Sequence, residues 1–306
     1  MNDSTNSEFL LVGLSGSGKT NFLVALDVAL SASGDDERLV HSDLASDRSY
    51  LQPLREKWLR GEELLRTSRK DVPPPHHLMV QHASSGTSAA FYLPDLAGES
   101  FDQYFETRSF SPDFLARLRK AEGVFLFVHC SQSADHEILT HPSLIDSVAM
   151  DEVGTGGSPP ASSAGKDWEL SDSARQSKLV DLLQFVNEAR AGLRALKVAV
   201  IVSAWDRIES GPNLPEIPRQ PGPFVRACWP LLDQYLVSHP DRFDFHVFGV
   251  SARGGGSSPE DIARITGLDN PCERIIVVDG AHRSNDLTRP VRWLLGLLPS
   301  VANQDV

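Results

Sequence analysis

The sequence predicts an α/β fold built on a mostly parallel sheet, and three observations lead there. Short apolar runs at Glu8–Val12, Gly123–Cys130 and Leu196–Val202 have the composition of strands buried on both faces. Segments with apolar residues at helical spacing lie between such runs. The two kinds alternate along the chain, which is how parallel strands joined by crossover helices read in sequence.

Composition bounds the rest. The chain has 306 residues, 41% of them hydrophobic, enough for one large domain over 1–306 with insertions near 34–66, 131–170 and 253–285. A net charge of −12 without any Lys/Arg run argues against a nucleic-acid partner, since binding along a phosphate backbone needs a basic field. Cys130, Cys228 and Cys272 are far apart and lack paired spacing, so a reduced, cytoplasmic setting is expected. The polar start Met1–Glu8 does not read as a signal peptide, and no apolar run reaches the ~18 residues of a membrane span.

Taken in order, the first strand, Glu8–Val12, runs into a glycine-rich turn. A helix follows, with Phe22, Leu23, Ala25, Leu26, Ala29 and Leu30 at helical spacing. Residues 47–60 carry Leu51, Leu54 and Trp58 on one helical face, with Asp47 placed to cap it and Pro53 in its first turns. Pro73-Pro74-Pro75 imposes extended backbone. His77–His82 and Ser88–Leu93 are strands joined by a glycine-containing turn, the pattern of an antiparallel hairpin. A helix over 112–121 begins at Ser111-Pro112. The fourth strand, Gly123–Cys130, precedes a Gly/Ser/Pro-rich stretch within 131–170 that breaks the alternation and reads as a mobile insertion. Helices at about 172–193 and 223–238 flank the fifth strand, Leu196–Val202. The sixth strand is Phe245–Val250, Ile275–Val278 is a candidate extra strand, and a last helix runs from Thr288 through Leu297. The expectation is therefore a six-stranded, mostly parallel sheet in three layers, with one antiparallel hairpin strand.

The residues that carry chemistry sit where strands end. Gly13-Leu14-Ser15-Gly16-Ser17-Gly18-Lys19-Thr20 is G-x-x-x-x-G-K-T between a strand and a helix, the context in which that motif binds phosphate. Its glycines let backbone N–H groups close on phosphate oxygens, and the next helix turns its positive end toward the same anion. Ser15, Gly16, Ser17, Gly18, Lys19, Thr20 and Asn21 are the candidate phosphate contacts. Lys19 is placed for the β- and γ-phosphates and the Thr20 hydroxyl for Mg²⁺. His76, His77 and His82, in and beside a strand, read as solvated edge positions rather than metal ligands.

After the third, fifth and sixth strands stand Asp95-Leu96-Ala97-Gly98, Ser203-Ala204-Trp205-Asp206 and Ser251-Ala252-Arg253. With the glycine loop, that order resembles the P-loop GTPases of the TRAFAC (Ras-like, translation-factor) class along the chain from about residue 8 to 298. In that class the three boxes are D-x-x-G, [N/T]-K-x-D and S-A-[K/R]. The D-L-A-G-E box, the long insert before Thr67 and the loop after the fourth strand resemble in particular bacterial double-GTPase proteins of conflict and defence systems.

The resemblance implies a three-layer P-loop NTPase fold, GTP/GDP as ligand, Mg²⁺ as cofactor and a protein effector or activator as partner. It implies Mg²⁺ held by Thr20, Thr67 and Asp95, with the Gly98 amide at the γ-phosphate. Lys19, Thr67 and Glu99 are the implied catalytic set. Asp206 would accept from guanine N1–H and the 2-amino group, an edge that adenine does not present. The Ala252 amide would donate to O6, flanked by Ser203, Ser251 and Arg253. Two departures bear on this reading. Ala204 stands where the class has lysine, so no aliphatic stem covers the base, and Trp205 reads either as a substitute cover or as a core or surface residue. Glu99 follows the D-x-x-G box where Ras-like members have glutamine, which implies slow or partner-activated hydrolysis. From the residues alone, an ATP-using P-loop enzyme or kinase and a non-hydrolysing nucleotide-binding scaffold remain as alternatives. Phe101, Tyr104, Phe105 and Phe110 load the segment after that box with rings, either packed beneath the next helix or forming a partner surface.

Overall fold

The computed structural model describes residues 7–31, 39–41, 51–64, 76–84, 87–93, 101, 104–105, 107–132, 173–211 and 218–298. Among the described residues, nine strands form one sheet in the order β2-β3-β4-β1-β5-β6-β7-β8-β9. They are β1 (Ser7–Val12), β2 (Leu39–His41), β3 (His76–His82), β4 (Ser88–Leu93), β5 (Gly123–His129), β6 (Leu196–Ser203), β7 (Phe243–Ser251), β8 (Ile276–Asp279) and β9 (His282–Ser284). The middle of the sheet, β4-β1-β5-β6-β7, is parallel throughout. β2 and β3 add to one side and β8 and β9 to the other, all antiparallel.

Period-two alternation assigns the strand side chains to two cores. Phe9, Leu11, Phe125, Phe127, Ala199 and Ile201 face one side, where α1 (Lys19–Ser31), α2 (Leu51–Leu59) and a C-terminal helix (Arg289–Leu294) cover them. Leu10, Val12, Val124, Leu126, Val128, Val200 and Val202 face the other. There the covering helices are α3 (Pro112–Lys120), α4 (Arg175–Ala189), α6 (Pro221–Cys228) and α7 (Pro230–Val237). Both faces are buried, which is why these strands are continuously apolar in sequence.

The sheet is a nine-stranded mixed sheet rather than the six-stranded one expected. The additions are short: β2 and β9 have three residues each, and β8, with four, is the candidate extra strand read at Ile275–Val278. Runs that short carry almost no periodicity and owe their pairing to tertiary contact. The β8–β9 turn rests on Gly280, whose φ of +58° suits glycine. β3 is not an edge strand where β2 pairs with it, through Leu39–His82 and His41–Val80. His82 there lies inside the sheet rather than at its edge.

The helix expected over 223–238 is two helices, α6 and α7. Pro230 supplies no N–H and pushes Trp229 out of helical geometry, to φ −132° and ψ 51°. The break is bridged by Gln176, whose side-chain oxygen accepts from the Leu231 amide at 3.0 Å. Ser111 caps α3 as read, accepting from the Phe114 amide at 3.2 Å. Two further helices, α5 (Asp206–Ser210) and α8 (Pro259–Thr266), lie beyond those expected, α8 within the insertion expected near 253–285. Ser258 caps α8, accepting from the Asp261 amide at 3.1 Å. Asp47 and nearly all of the 131–170 insertion lie outside the described residues.

Candidate nucleotide site

β1 ends at Val12 and α1 begins at Lys19, so the six residues between form the loop. Gly16 and Gly18 adopt φ of +73° and +95°, which L side chains rarely tolerate. Close approach constrains the ends of the loop too. A Cβ on Gly13 would stand 2.7 Å from the Phe127 carbonyl, and one on Gly18 would stand 2.9 Å from the Ser203 Cβ. Lys19 folds back over the loop, its Nζ donating to the carbonyls of Gly13 (2.6 Å) and Leu14 (3.0 Å) and to Ser17 Oγ (3.3 Å). The Phe101 ring centroid lies 5.7 Å from the same ammonium. Ser17 is buried, Gly16 is exposed, and Ser15, Thr20 and Asn21 are part-exposed around them.

The parallel sheet brings the two base-reading candidates beside this loop. β6 ends at Ser203 and β7 at Ser251, and the strands are hydrogen-bonded neighbours. Ser203 is the contact between the two halves of the site, because Gly18 packs on its side chain. Its Oγ is buried with no hydrogen-bond partner among the described residues. An orphaned hydroxyl at the meeting of phosphate loop and base turn fits a nucleotide seated there. Ala204 takes φ +56°, an uncommon conformation for a residue with a Cβ, and turns the chain into α5. Asp206 opens α5, and its Oδ1 accepts from the Ser251 hydroxyl at 2.5 Å. The Ser251 Oγ also accepts from the Gly254 amide at 3.0 Å, which ties the carboxylate to the turn that follows β7.

Trp205 does not cover a base. It is fully buried, lies flat on Gly249 of β7 and meets Phe224 edge-on at 5.6 Å. Its size and burial make it a core residue that pins α5 to the sheet. Beside it, Cys130 donates to the Ala204 carbonyl at 3.2 Å, and burial pushes the Cys130 thiol up to about 11. His129, at the end of β5, has its pKa lowered by burial first and then by Arg207 and Arg175. Its Nδ1 accepts from the Ser131 amide at 3.2 Å.

Thr67, Asp95, Gly98 and Glu99 lie outside the described residues. The remaining site residues, Ser15 to Asn21, Ser203, Asp206 and Ser251 to Arg253, stand at or beyond the carboxyl ends of β1, β6 and β7, with β5 between the first two. Of the aromatic group beyond the D-x-x-G box, Phe101 and Phe105 are buried. Tyr104 lies 4.3 Å from Phe110, and Phe110 4.8 Å from Phe114 and 4.2 Å from Phe185. These rings pack against α3 and α4. Among the described residues no cluster of three His, Cys, Asp or Glu is placed to hold a metal. Thr20, in the first turn of α1, is the described member of the Mg²⁺ set, and its hydroxyl suits that ion.

Sequence reading missed a second layer around the turn after β7. The Trp58 indole N–H donates to the Ala252 carbonyl at 3.1 Å, and Arg264 donates to the Gly254 carbonyl at 2.8 Å. Arg253 reaches Gly61 O at 2.7 Å and Ser257 Oγ at 2.8 Å. Arg274 stacks over the Trp58 ring, 3.5 Å from its centroid, and donates to the Trp58 carbonyl. Trp58 was legible only as an apolar position on a helix, with nothing local to mark its indole N–H.

No curated protein matches the chain. Among solved structures, it is similar to the signal recognition particle receptor SRb-GTP/SRX complex from Chaetomium thermophilum, at 15% identity and a TM-score of 0.40. That match covers 83% of this chain and 94% of the other, and at this score it carries no argument. The family model for Double-GTPase 1 matches residues 10–294. That span takes in the glycine loop, the Asp206 turn and the Ser251–Arg253 turn together, and the chain belongs to the Double-GTPase 1 family of P-loop GTPases.

Proposed function

We propose that the chain is a GTP-binding, Mg²⁺-dependent, GTP-hydrolysing molecular switch, built as a single domain over 1–306 and acting on a protein effector or activator in the cytoplasm. The observation that carries the reading is the contact of Gly18 with Ser203. It sets the phosphate loop against the turn that bears Asp206, as one ligand with both a triphosphate and a base requires. The loop amides from Ser15 to Thr20 hold phosphate oxygens, and Lys19 turns from its loop carbonyls to the β- and γ-phosphates. Asp206, held by Ser251, reads guanine N1–H and the 2-amino group, and the Ala252 amide reads O6. Mg²⁺, when bound through Thr20, Asp95 and Thr67, neutralises charge on the phosphate oxygens. Glu99, in the position where Ras-like members have glutamine, is expected to leave hydrolysis slow until a partner assists.

Membership in the Double-GTPase 1 family supports guanine over adenine. Binding and turnover of labelled GTP and ATP, with and without Mg²⁺, test the reading. GTP preference, Mg²⁺-dependent turnover and loss of binding in Lys19→Ala are the expected results. Preference for ATP, or Lys19→Ala binding GTP like the wild type, overturns it. Hydrogen exchange with GDP and with a non-hydrolysable GTP analogue tests the switch. Protection of residues 61–76 and 96–110 rises with the triphosphate, and equal exchange in both forms excludes γ-phosphate gating.

A further inference from the structure

The turn after β7 is held from outside the nucleotide fold by an insertion. α2 lies in the segment between α1 and β3, and its one fully buried ring, Trp58, is 1% exposed. The indole N–H of that ring is spent on the carbonyl of Ala252, whose own amide is the candidate O6 donor. The ring cannot swing away. Arg274, itself 3% exposed, lies across its face and donates to the Trp58 carbonyl. Arg253 makes the return connection, donating to Gly61 O at the end of the same insertion helix. Gly61 sits at φ +69° with the Ile265 side chain of α8 packed against it, so the acceptor is fixed as well. Pinning the Ala252 carbonyl fixes the peptide plane it shares with the Arg253 N–H, and the Ala252 N–H, joined to that plane through the Ala252 Cα, is restrained with it.

We propose that Trp58 and Arg253 are positioning residues for guanine recognition. They clamp the Ser251–Arg253 turn to the insertion helix, so that selectivity for a 6-oxo purine depends on α2 being docked. The proposal rests on the guanine reading given above. It also compensates for the missing lysine at Ala204, because the base turn draws its rigidity from α2 where no side-chain stem steadies the base. Docking of α2 and affinity for guanine are then one equilibrium, and whatever displaces α2 weakens GTP through the base, with the phosphate contacts untouched.

The test is a thermodynamic cycle between Trp58→Phe and the nucleotide 6-thio-GTP. The variant keeps an aromatic ring under Arg274 and removes the N–H. The analogue keeps N1–H and the 2-amino group for Asp206 and replaces O6 by sulfur, a weak acceptor. Affinity for GTP is expected to fall about three- to tenfold in Trp58→Phe, the weight of one net hydrogen bond. Affinity for 6-thio-GTP is expected to stay within about twofold, since the contact being positioned is already lost. Equal losses for both nucleotides would make Trp58 a packing residue and overturn the clamp. Arg253→Met, which removes the other arm at a part-exposed position, goes through the same cycle and decides the matter if Trp58→Phe does not fold. A wild type that prefers GTP over ATP but binds GTP and 6-thio-GTP alike shows that O6 is not read and overturns the clamp, whereas a wild type that prefers ATP overturns the guanine reading itself. A wild type that discriminates, with both variants leaving the ratio unchanged, overturns the clamp alone.

Discussion

Asp206 is a carboxylate with one oxygen already engaged, and that shapes what its replacement does. Its Oδ1 accepts from Ser251, leaving lone pairs on both oxygens for two donors on one base edge. Asp206→Asn presents an amide N–H where the guanine edge also donates. GTP affinity is expected to fall on the order of a hundredfold, while a xanthine nucleotide, whose C2 carbonyl accepts, gains. Competition binding with GTP and xanthosine triphosphate reads both. Burial first, and then the charge of Arg207, hold the His129 pKa in the fold below the free histidine value. The folded protein therefore binds fewer protons than the unfolded chain once the pH drops below about 6.5, the free histidine value. Stability contributed by the neutral ring is present above that pH and is lost on acidification toward the folded pKa. Urea midpoints from pH 7.5 down to 5 are expected to fall less steeply in His129→Gln. At this scale the sequence was legible where a motif is contiguous. Gly13–Thr20 is eight neighbours in a row, and its chemistry is local. Trp58 and Ala252 are 194 positions apart, and no spacing rule connects an indole N–H to a carbonyl at that separation.

At the scale of elements, Gly249 and Trp205 show how a strand and a turn are fitted together. The indole lies directly on the Gly249 Cα, inside van der Waals reach of any Cβ placed there. Gly249→Ala forces the ring, and with it the start of α5, away from β7. A loss of about 1–3 kcal/mol is expected, the usual cost of overpacking, measured by urea unfolding. GTP affinity should drop with it, because α5 carries Asp206 at its first position. Long strands with both faces buried, β5, β6 and β7, were readable because their apolar runs have no competing interpretation as short helices. α8 has a helix start in its sequence, Ser258-Pro259-Glu260-Asp261, but the glycines at 254–256 just before it are the stronger local signal and favour a loop. The split between α6 and α7 has a plain sequence cause in Pro230. The apolar spacing runs on through the break and masks it in sequence.

For the molecule as a whole, the two cores share the central strands, so neither face has a sheet of its own. The single-domain reading predicts one cooperative transition in calorimetry. GTP with Mg²⁺ should raise its midpoint in proportion to the logarithm of ligand concentration over Kd. Two resolved transitions, with only one shifted by nucleotide, would divide the chain. The fold class was legible at this scale because alternation is a global pattern, whereas the strand count was not, because the outermost strands are made by pairing rather than by composition. Those strands have a consequence for how the protein behaves in a crowded solution. A sheet with five long, apolar parallel strands invites further strands to add at its open sides. Among the described residues each side ends in a strand of three residues, and on β9 the middle residue is Arg283, locked to Glu209 through two hydrogen bonds of 2.9 and 3.1 Å. A template that short, with a charge at its centre, gives an incoming chain little to register against, so the sheet that builds the nucleotide site resists self-association at its own borders.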